Sequence, residues 1–161
     1  MTGITGFLGS HVALNLLKTH GARFKLRASV RSLANMKKLE PLRKAFGDDN
    51  YSRIEFVEAD LESKEALFKA ISGASYIIHV ASPLAGAQQL TDAQLIQPAM
   101  YGMKTILEAS VLFKVKRLIV TSSVVTVFGA AFKKGTGDIH YSENDFAPPD
   151  GQDAYGKSKV A

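Results

Sequence analysis

Four short apolar runs, residues 24–30, 53–60, 75–83 and 116–123, alternate along this 161-residue chain with stretches whose apolar residues recur at helical spacing. That alternation leaves few options. Strands separated by helices run parallel, because a parallel pair needs a crossover and cannot close through a tight turn. The crossovers are right-handed and cover both faces of the sheet. The expected fold class is therefore α/β, a doubly wound parallel sheet of the nucleotide-binding kind. The helical stretches fit between the runs. Residues 6–21 carry Leu8, Val12, Leu16 and Leu17 near one face and stop at Gly21. Residues 32–47 place Leu33, Met36, Leu39 and Leu42 together, with Pro41 inside and Gly47 as a stop. Residues 63–73 begin at a capping Ser63 and end at Gly73. A long helix over 91–113 contains Pro98, a loop rich in Gly, Pro and Asp follows over 129–154, and a last helix begins near Tyr155. No internal repeat is present. The expectation is one dinucleotide-binding domain over residues 1–161.

Composition narrows the function classes. Apolar residues make up 46% and charged residues 22%, close to globular averages, so a packed core is expected. Cysteine is absent, which excludes disulfides and thiolate metal sites and suits a reducing compartment. No apolar run approaches the roughly 18 residues of a membrane span. The opening MTGITGFLGS lacks a basic segment followed by a long apolar one, so a cytoplasmic protein without a membrane partner is expected. The net charge of +5 is scattered. Its one cluster, Lys37, Lys38, Arg43 and Lys44, reads as a solvated helix face, and no nucleic-acid partner is expected. His11, His20 and His140 have no ligand spacing, so no metal is expected. His79 reads as a core histidine, and Met100 and Met103 read as packing.

The front of the chain carries the first chemical signal. TGITGFLG places Gly3, Gly6 and Gly9 at three-residue intervals just before an amphipathic helix. Glycines let the backbone turn tightly and approach a diphosphate with no Cβ in the way. The helix that follows offers unpaired N–H groups and the positive end of its dipole. About 20 residues on, at the tip of the next strand, such folds choose between cofactors. An acidic residue there would accept from a ribose 2′-hydroxyl. Arg31 instead presents a planar fork suited to a 2′-phosphate, which points to NADP(H) over NAD.

The end of the chain, GQDAYGKSKVA, satisfies two patterns. Gly151 to Ser158 reads as G-x-x-x-x-G-K-S, a phosphate-binding loop. Tyr155 and Lys159 read as Y-x-x-x-K, the pair of a carbonyl reductase. The first needs a buried strand before it, and SENDFAPPD is polar and holds two prolines. The second needs only a helix, on which i and i+4 share a face. A phenol titrates near 10. An ammonium within about 4–6 Å favours the phenolate and can lower that pKa by roughly 1–3.

Taken in order, these motifs resemble the extended short-chain dehydrogenase/reductases, the NAD-dependent epimerase/dehydratase superfamily, and within it the dihydroflavonol reductase-like branch. Further stretches carry the likeness: VRSLANMKK with Arg31 and Lys38, ADL with Asp60 and Leu61, HVASP over 79–83, QPAMYGMKTILEA with Pro98 and Gly102, VTSS, and YGKSK. The resemblance covers essentially the whole chain and implies a Rossmann-like fold. It implies that Gly3, Thr5, Gly6, Phe7, Leu8 and Gly9 hold the diphosphate. Arg31 and Lys38 would face the 2′-phosphate, Asp60 and Leu61 the adenine, and Val80, Ala81 and Ser82 would line the cofactor. Tyr155 would give a proton to the substrate oxygen while NADPH delivers hydride. Lys159 would also bond the nicotinamide ribose, and Ser123, rather than Ser122, would orient the carbonyl.

The implied activity is NADPH-dependent reduction of an aldehyde or ketone, with a small-molecule carbonyl substrate as partner. Two other readings stay open: an NAD-dependent sugar-nucleotide epimerase or dehydratase, and a non-catalytic nucleotide-binding module. The chain also departs from the family. Only Met1 and Thr2 stand where a central strand should precede Gly3, and the family's substrate region has no counterpart. A domain incomplete at both ends, part of a longer protein, is therefore expected. Substrate identity and oligomeric state have no signature in these residues.

Overall fold

A computed structural model describes residues 1–83, 91–129 and 140–160. Its elements are α1 (Phe7–His20), β1 (Leu26–Val30), α2 (Met36–Ser52), β2 (Ile54–Glu58), α3 (Lys64–Ile71), β3 (Tyr76–His79), α4 (Asp92–Leu112), β4 (Arg117–Val120), α5 (Val125–Phe128) and α6 (Ala154–Val160). Every strand and helix expected from the sequence is present. The loop expected over 129–154 has no helix or strand over 140–153, and residues 130–139 lie outside the described residues. Internal contacts separate two compact units: Met1–Ser82 with Lys104–Val120, and Pro83–Met103 with Thr121–Ala161.

The first unit holds the sheet. β1 pairs with β2 and β3 with β4, both in parallel register. Met1 and Thr2 join the two pairs. The Met1 amine donates to the Arg27 carbonyl at 2.7 Å, and Ser29 N–H donates to the Met1 carbonyl at 2.9 Å. On the other side Thr2 N–H donates to the Ile78 carbonyl at 3.0 Å, and Thr2 bridges His79 in parallel. The spatial order is thus β2, β1, Met1–Thr2, β3, β4. Two residues occupy the central position that the sequence pattern assigns to the strand before the glycine turn.

Two apolar clusters share no helix, as a sheet covered on both faces requires. One gathers Ile4, Ala13 and Leu17 with Ala28, Val30, Leu39, Leu42, Phe46 and Ile54. The other gathers Leu67, Ile71, Ile77, Ile106 and Ala109. The buried line of α1 is Gly9, Ala13 and Leu17, a clean i, i+4 series. Leu8, expected on that face, is instead 46% exposed, because the line centred on Ala13 carries it outward. In α2, Leu39, Leu42 and Phe46 are buried while Leu33 and Met36 are exposed, since the helix starts only after Asn35. Gly47 interrupts α2 at φ 73° and ψ 157°, so the expected stop is a kink after which a further helical turn runs to Ser52. β4 pairs only with β3 among the described residues. That edge position explains why Ile119 and Val120 are exposed, although their run reads as a buried strand.

In the second unit α5 packs against α6, and Ala147 N–H donates to the Thr126 carbonyl at 2.8 Å. No helix among the described residues is long and apolar enough to cross a membrane.

Candidate functional site

Gly3 adopts φ 75°, and an added Cβ would stand 2.6 Å from Ala81 N. A Cβ on Gly9 would stand 2.0 Å from the Gly3 carbonyl oxygen. The glycines are thus fixed by close backbone approach: Gly3 against the end of β3, Gly9 against the turn itself. Gly6 N–H donates to the Gly3 carbonyl at 3.1 Å and closes the turn. Gly6 is also the N-cap of α1, with no side-chain cap and no acidic residue in the first turn. The first N–H groups of α1, at Phe7, Leu8 and Gly9, therefore have no intrahelical acceptor. Thr5, Gly6, Phe7 and Leu8 are exposed, whereas Ile4 is fully buried and anchors the turn. The contrast with α3 is direct, because there Ser63 caps Ala66 N–H at 3.3 Å. An uncapped helix start on a tight glycine turn is the cradle a diphosphate requires.

Thr2, which the sequence reading did not single out, ties this turn to β3. It is 6% exposed. Its Oγ1 accepts from Val80 N–H at 3.2 Å and from Ala81 N–H at 3.1 Å. With both lone pairs engaged, its own proton goes to His79 Nδ1, 2.7 Å away. The ring proton of a neutral His79 then sits on Nε2. His79 is buried, in keeping with the core role read for it. Only the fold reveals this link, since the partners lie 77 residues apart. Thr2→Val is expected to strand two N–H groups and the ring nitrogen, costing about 2–3 kcal/mol. Thr2→Ser is expected to stay within about 1 kcal/mol of the wild type; urea denaturation of both variants checks the pair.

The remaining front residues fall on the same unit. Arg31 follows β1 directly, and Lys38 lies in the first turn of α2. Both are exposed, and neither forms an ion pair among the described residues. Lys37 and Lys38 stand at a helix N-terminus with no acidic residue in its first turn. Cations are disfavoured there unless an anion joins them. Asp60 Oδ1 accepts from Glu62 N–H at 3.1 Å, and Leu61 packs partly onto the second apolar cluster. Val80, Ala81 and Ser82 are half-buried. Among the described residues, two clefts of about 560 and 620 Å³ lie on other surfaces, between Arg27, Phe68 and Phe113 and along α2.

The second unit carries the other candidates. Tyr155 and Lys159 share one face of α6, and the Lys159 Nζ stands 5.7 Å from the centre of the Tyr155 ring. Both side chains are half-buried. Burial holds the Lys159 ammonium below the usual lysine range. Asp153 starts the helix: its Oδ1 accepts from Gly156 N–H at 2.9 Å, an N-cap legible in sequence as an acid three residues before. That carboxylate occupies the N–H a phosphate would use, and among the described residues no strand leads into Gly151 over 140–150, so the phosphate-loop pattern fails here. Among the described residues Ser123 Oγ accepts a single long bond, 3.4 Å, from Val125 N–H. Its carbonyl is taken by Thr126 Oγ1 at 2.6 Å.

The chain is similar to known proteins. Residues 1–161 match the model of the 3-beta hydroxysteroid dehydrogenase/isomerase family. Dihydroflavonol 4-reductase of Hordeum vulgare is 34% identical over 128 residues, 79% of this chain and 35% of that protein. The structure of yeast methylglyoxal/isovaleraldehyde reductase Gre2 with NADPH aligns at a TM-score of 0.77 and 27% identity, over 99% of this chain and 48% of that one. Vestitone reductase from alfalfa (Medicago sativa L.) aligns at 0.65 and 29% identity, over 99% and 47%. The chain spans under half the length of these relatives. With a Rossmann-like parallel sheet, the glycine turn and a match over its full length, the chain belongs to the 3-beta hydroxysteroid dehydrogenase/isomerase family, within the extended short-chain dehydrogenase/reductases.

Proposed function

We propose that the protein is an NADPH-dependent reductase of aldehydes or ketones, with Tyr155 as proton donor. The observation that carries this reading is the Tyr155–Lys159 pair, an amine 5.7 Å from a phenol ring and partly desolvated. Bound NADPH would supply hydride to the carbonyl carbon. The Tyr155 hydroxyl gives its proton to the carbonyl oxygen as negative charge builds there. The Lys159 ammonium stabilises the phenolate left behind. Ser123, whose hydroxyl proton is not spent on the long bond from Val125 N–H, donates to the same oxygen and orients it. Upstream, the uncapped start of α1 receives the diphosphate. Arg31 and Lys38 receive the 2′-phosphate, Asp60 and Leu61 the adenine, and Val80, Ala81 and Ser82 flank the cofactor.

NADPH in the Gre2 structure and the reductase activity of the barley relative support this reading. The exposed Arg31, with no ion pair among the described residues, speaks against an NAD-dependent epimerase, which would place an acid at that tip. The test is a titration of the protein with NADP⁺ and NAD⁺. At least about tenfold preference for NADP⁺ is expected, falling about tenfold in Arg31→Ala as the bidentate contact is lost. Equal affinity for the two cofactors would sink the assignment.

A further inference from the structure

We infer that Glu58 is a positioning residue for recognition of the 2′-phosphate: its carboxylate fixes the turn that presents Arg31. The inference rests on the NADP(H) reading. Glu58 closes β2 and stands in register with Val30, the residue before Arg31. The strand end is firm at this point, since Ala59 N–H donates to the Val30 carbonyl at 2.9 Å. From there Glu58 Oε1 accepts the backbone N–H of Leu33 at 2.7 Å. Within the turn, Ser32 Oγ accepts from Ala34 N–H at 3.2 Å. Among the described residues these are the side chains that hold the segment between β1 and α2, and only Glu58 reaches it from outside.

The choice of partner is informative. One cation, Arg31, directly follows Val30, the register partner of this exposed carboxylate. An exposed acid beside such a cation would ordinarily settle in an ion pair. Glu58 forms none among the described residues and spends its charge on a backbone N–H instead. The turn is thereby held while Arg31 and Lys38 stay open to an incoming anion. A charge-assisted bond of this length is about twice as strong as a neutral one, which suits a short exposed loop that has little burial to order it.

The test uses the 161-residue chain and two probes that differ only in the 2′-phosphate, adenosine 2′,5′-bisphosphate and 5′-AMP, titrated calorimetrically. The wild type is expected to bind the bisphosphate at least about tenfold more tightly. Glu58→Ala is expected to cut that ratio about fivefold and to leave 5′-AMP affinity within about twofold. Glu58→Gln, whose amide oxygen can accept the same N–H, is expected to keep the ratio within about twofold. A thermal melt of each variant confirms folding. An unchanged ratio in Glu58→Ala, equal weakening of both probes, or tighter bisphosphate binding by either variant would overturn the role of Glu58 alone. A wild type without preference for the bisphosphate would overturn the NADP(H) reading as well.

Discussion

Replacing Gly3 by alanine is expected to destabilise the chain by about 3 kcal/mol or more and to abolish binding at the turn. Two costs add. At φ 75° an L-residue meets its own carbonyl, at roughly 1–2 kcal/mol. The new Cβ would also stand 2.6 Å from Ala81 N and 3.0 Å from Ala81 Cα, both backbone atoms that cannot swing aside. Relief means separating the turn from the end of β3, which breaks the bonds Thr2 makes to Val80 and Ala81. Against the roughly 5–15 kcal/mol that holds an ordinary domain, this is a large fraction. Gly73 provides the control. It has φ 76° but no atom within 4 Å of an added Cβ, so Gly73→Ala carries the conformational cost alone, about 1 kcal/mol. Urea denaturation of the two variants separates contact from conformation. Equal losses would show that Ala81 exerts no pressure on Gly3.

Tyr155→Phe is expected to lower kcat for a carbonyl substrate by about 10²–10⁴ while leaving affinity for NADP⁺ within about twofold. The substitution keeps the ring and its contact with Lys159 and removes only the proton donor. A loss in kcat without a matching rise in KM marks an interaction made in the transition state. The lysine adds a pH signature. Burial disfavours its ammonium form, so the neutral form is reached at lower pH than in a free lysine. The alkaline limb of the rate profile is therefore expected below the ordinary lysine value of about 10.4. Steady-state kinetics across pH, on wild type and variant, checks both statements. An unchanged kcat in Tyr155→Phe would remove the tyrosine from the chemistry.

The sheet was legible because its evidence is local. Apolar runs, glycine stops and the Ser63 cap set the order of elements, and parallel pairing followed from the helices between them. The glycine turn was legible for a similar reason: three glycines ahead of an amphipathic helix describe a backbone shape, and Gly3 and Gly9 have that shape. Faces were read less well. Leu8 carries helical spacing yet points outward, because small residues, Gly9 and Ala13, let α1 approach the sheet on a neighbouring line, and Leu33 is exposed because α2 starts only after Asn35. Contacts across long separations left no trace in the sequence. Thr2 and His79 make sense only once the chain returns, and Glu58 meets Leu33 only through the register of β1 and β2. Asp153 was readable as a helix cap and went unread within the stretch that carries the two patterns.

The most direct measurement is isotopic. The protein is incubated with NADPH carrying deuterium at C4 of the nicotinamide and with a simple aldehyde such as isovaleraldehyde. Deuterium on the carbinol carbon of the alcohol, formed faster with NADPH than with NADH, is the predicted result. A protein that binds NADPH tightly yet moves no label to any aldehyde or ketone in a broad panel would contradict the account.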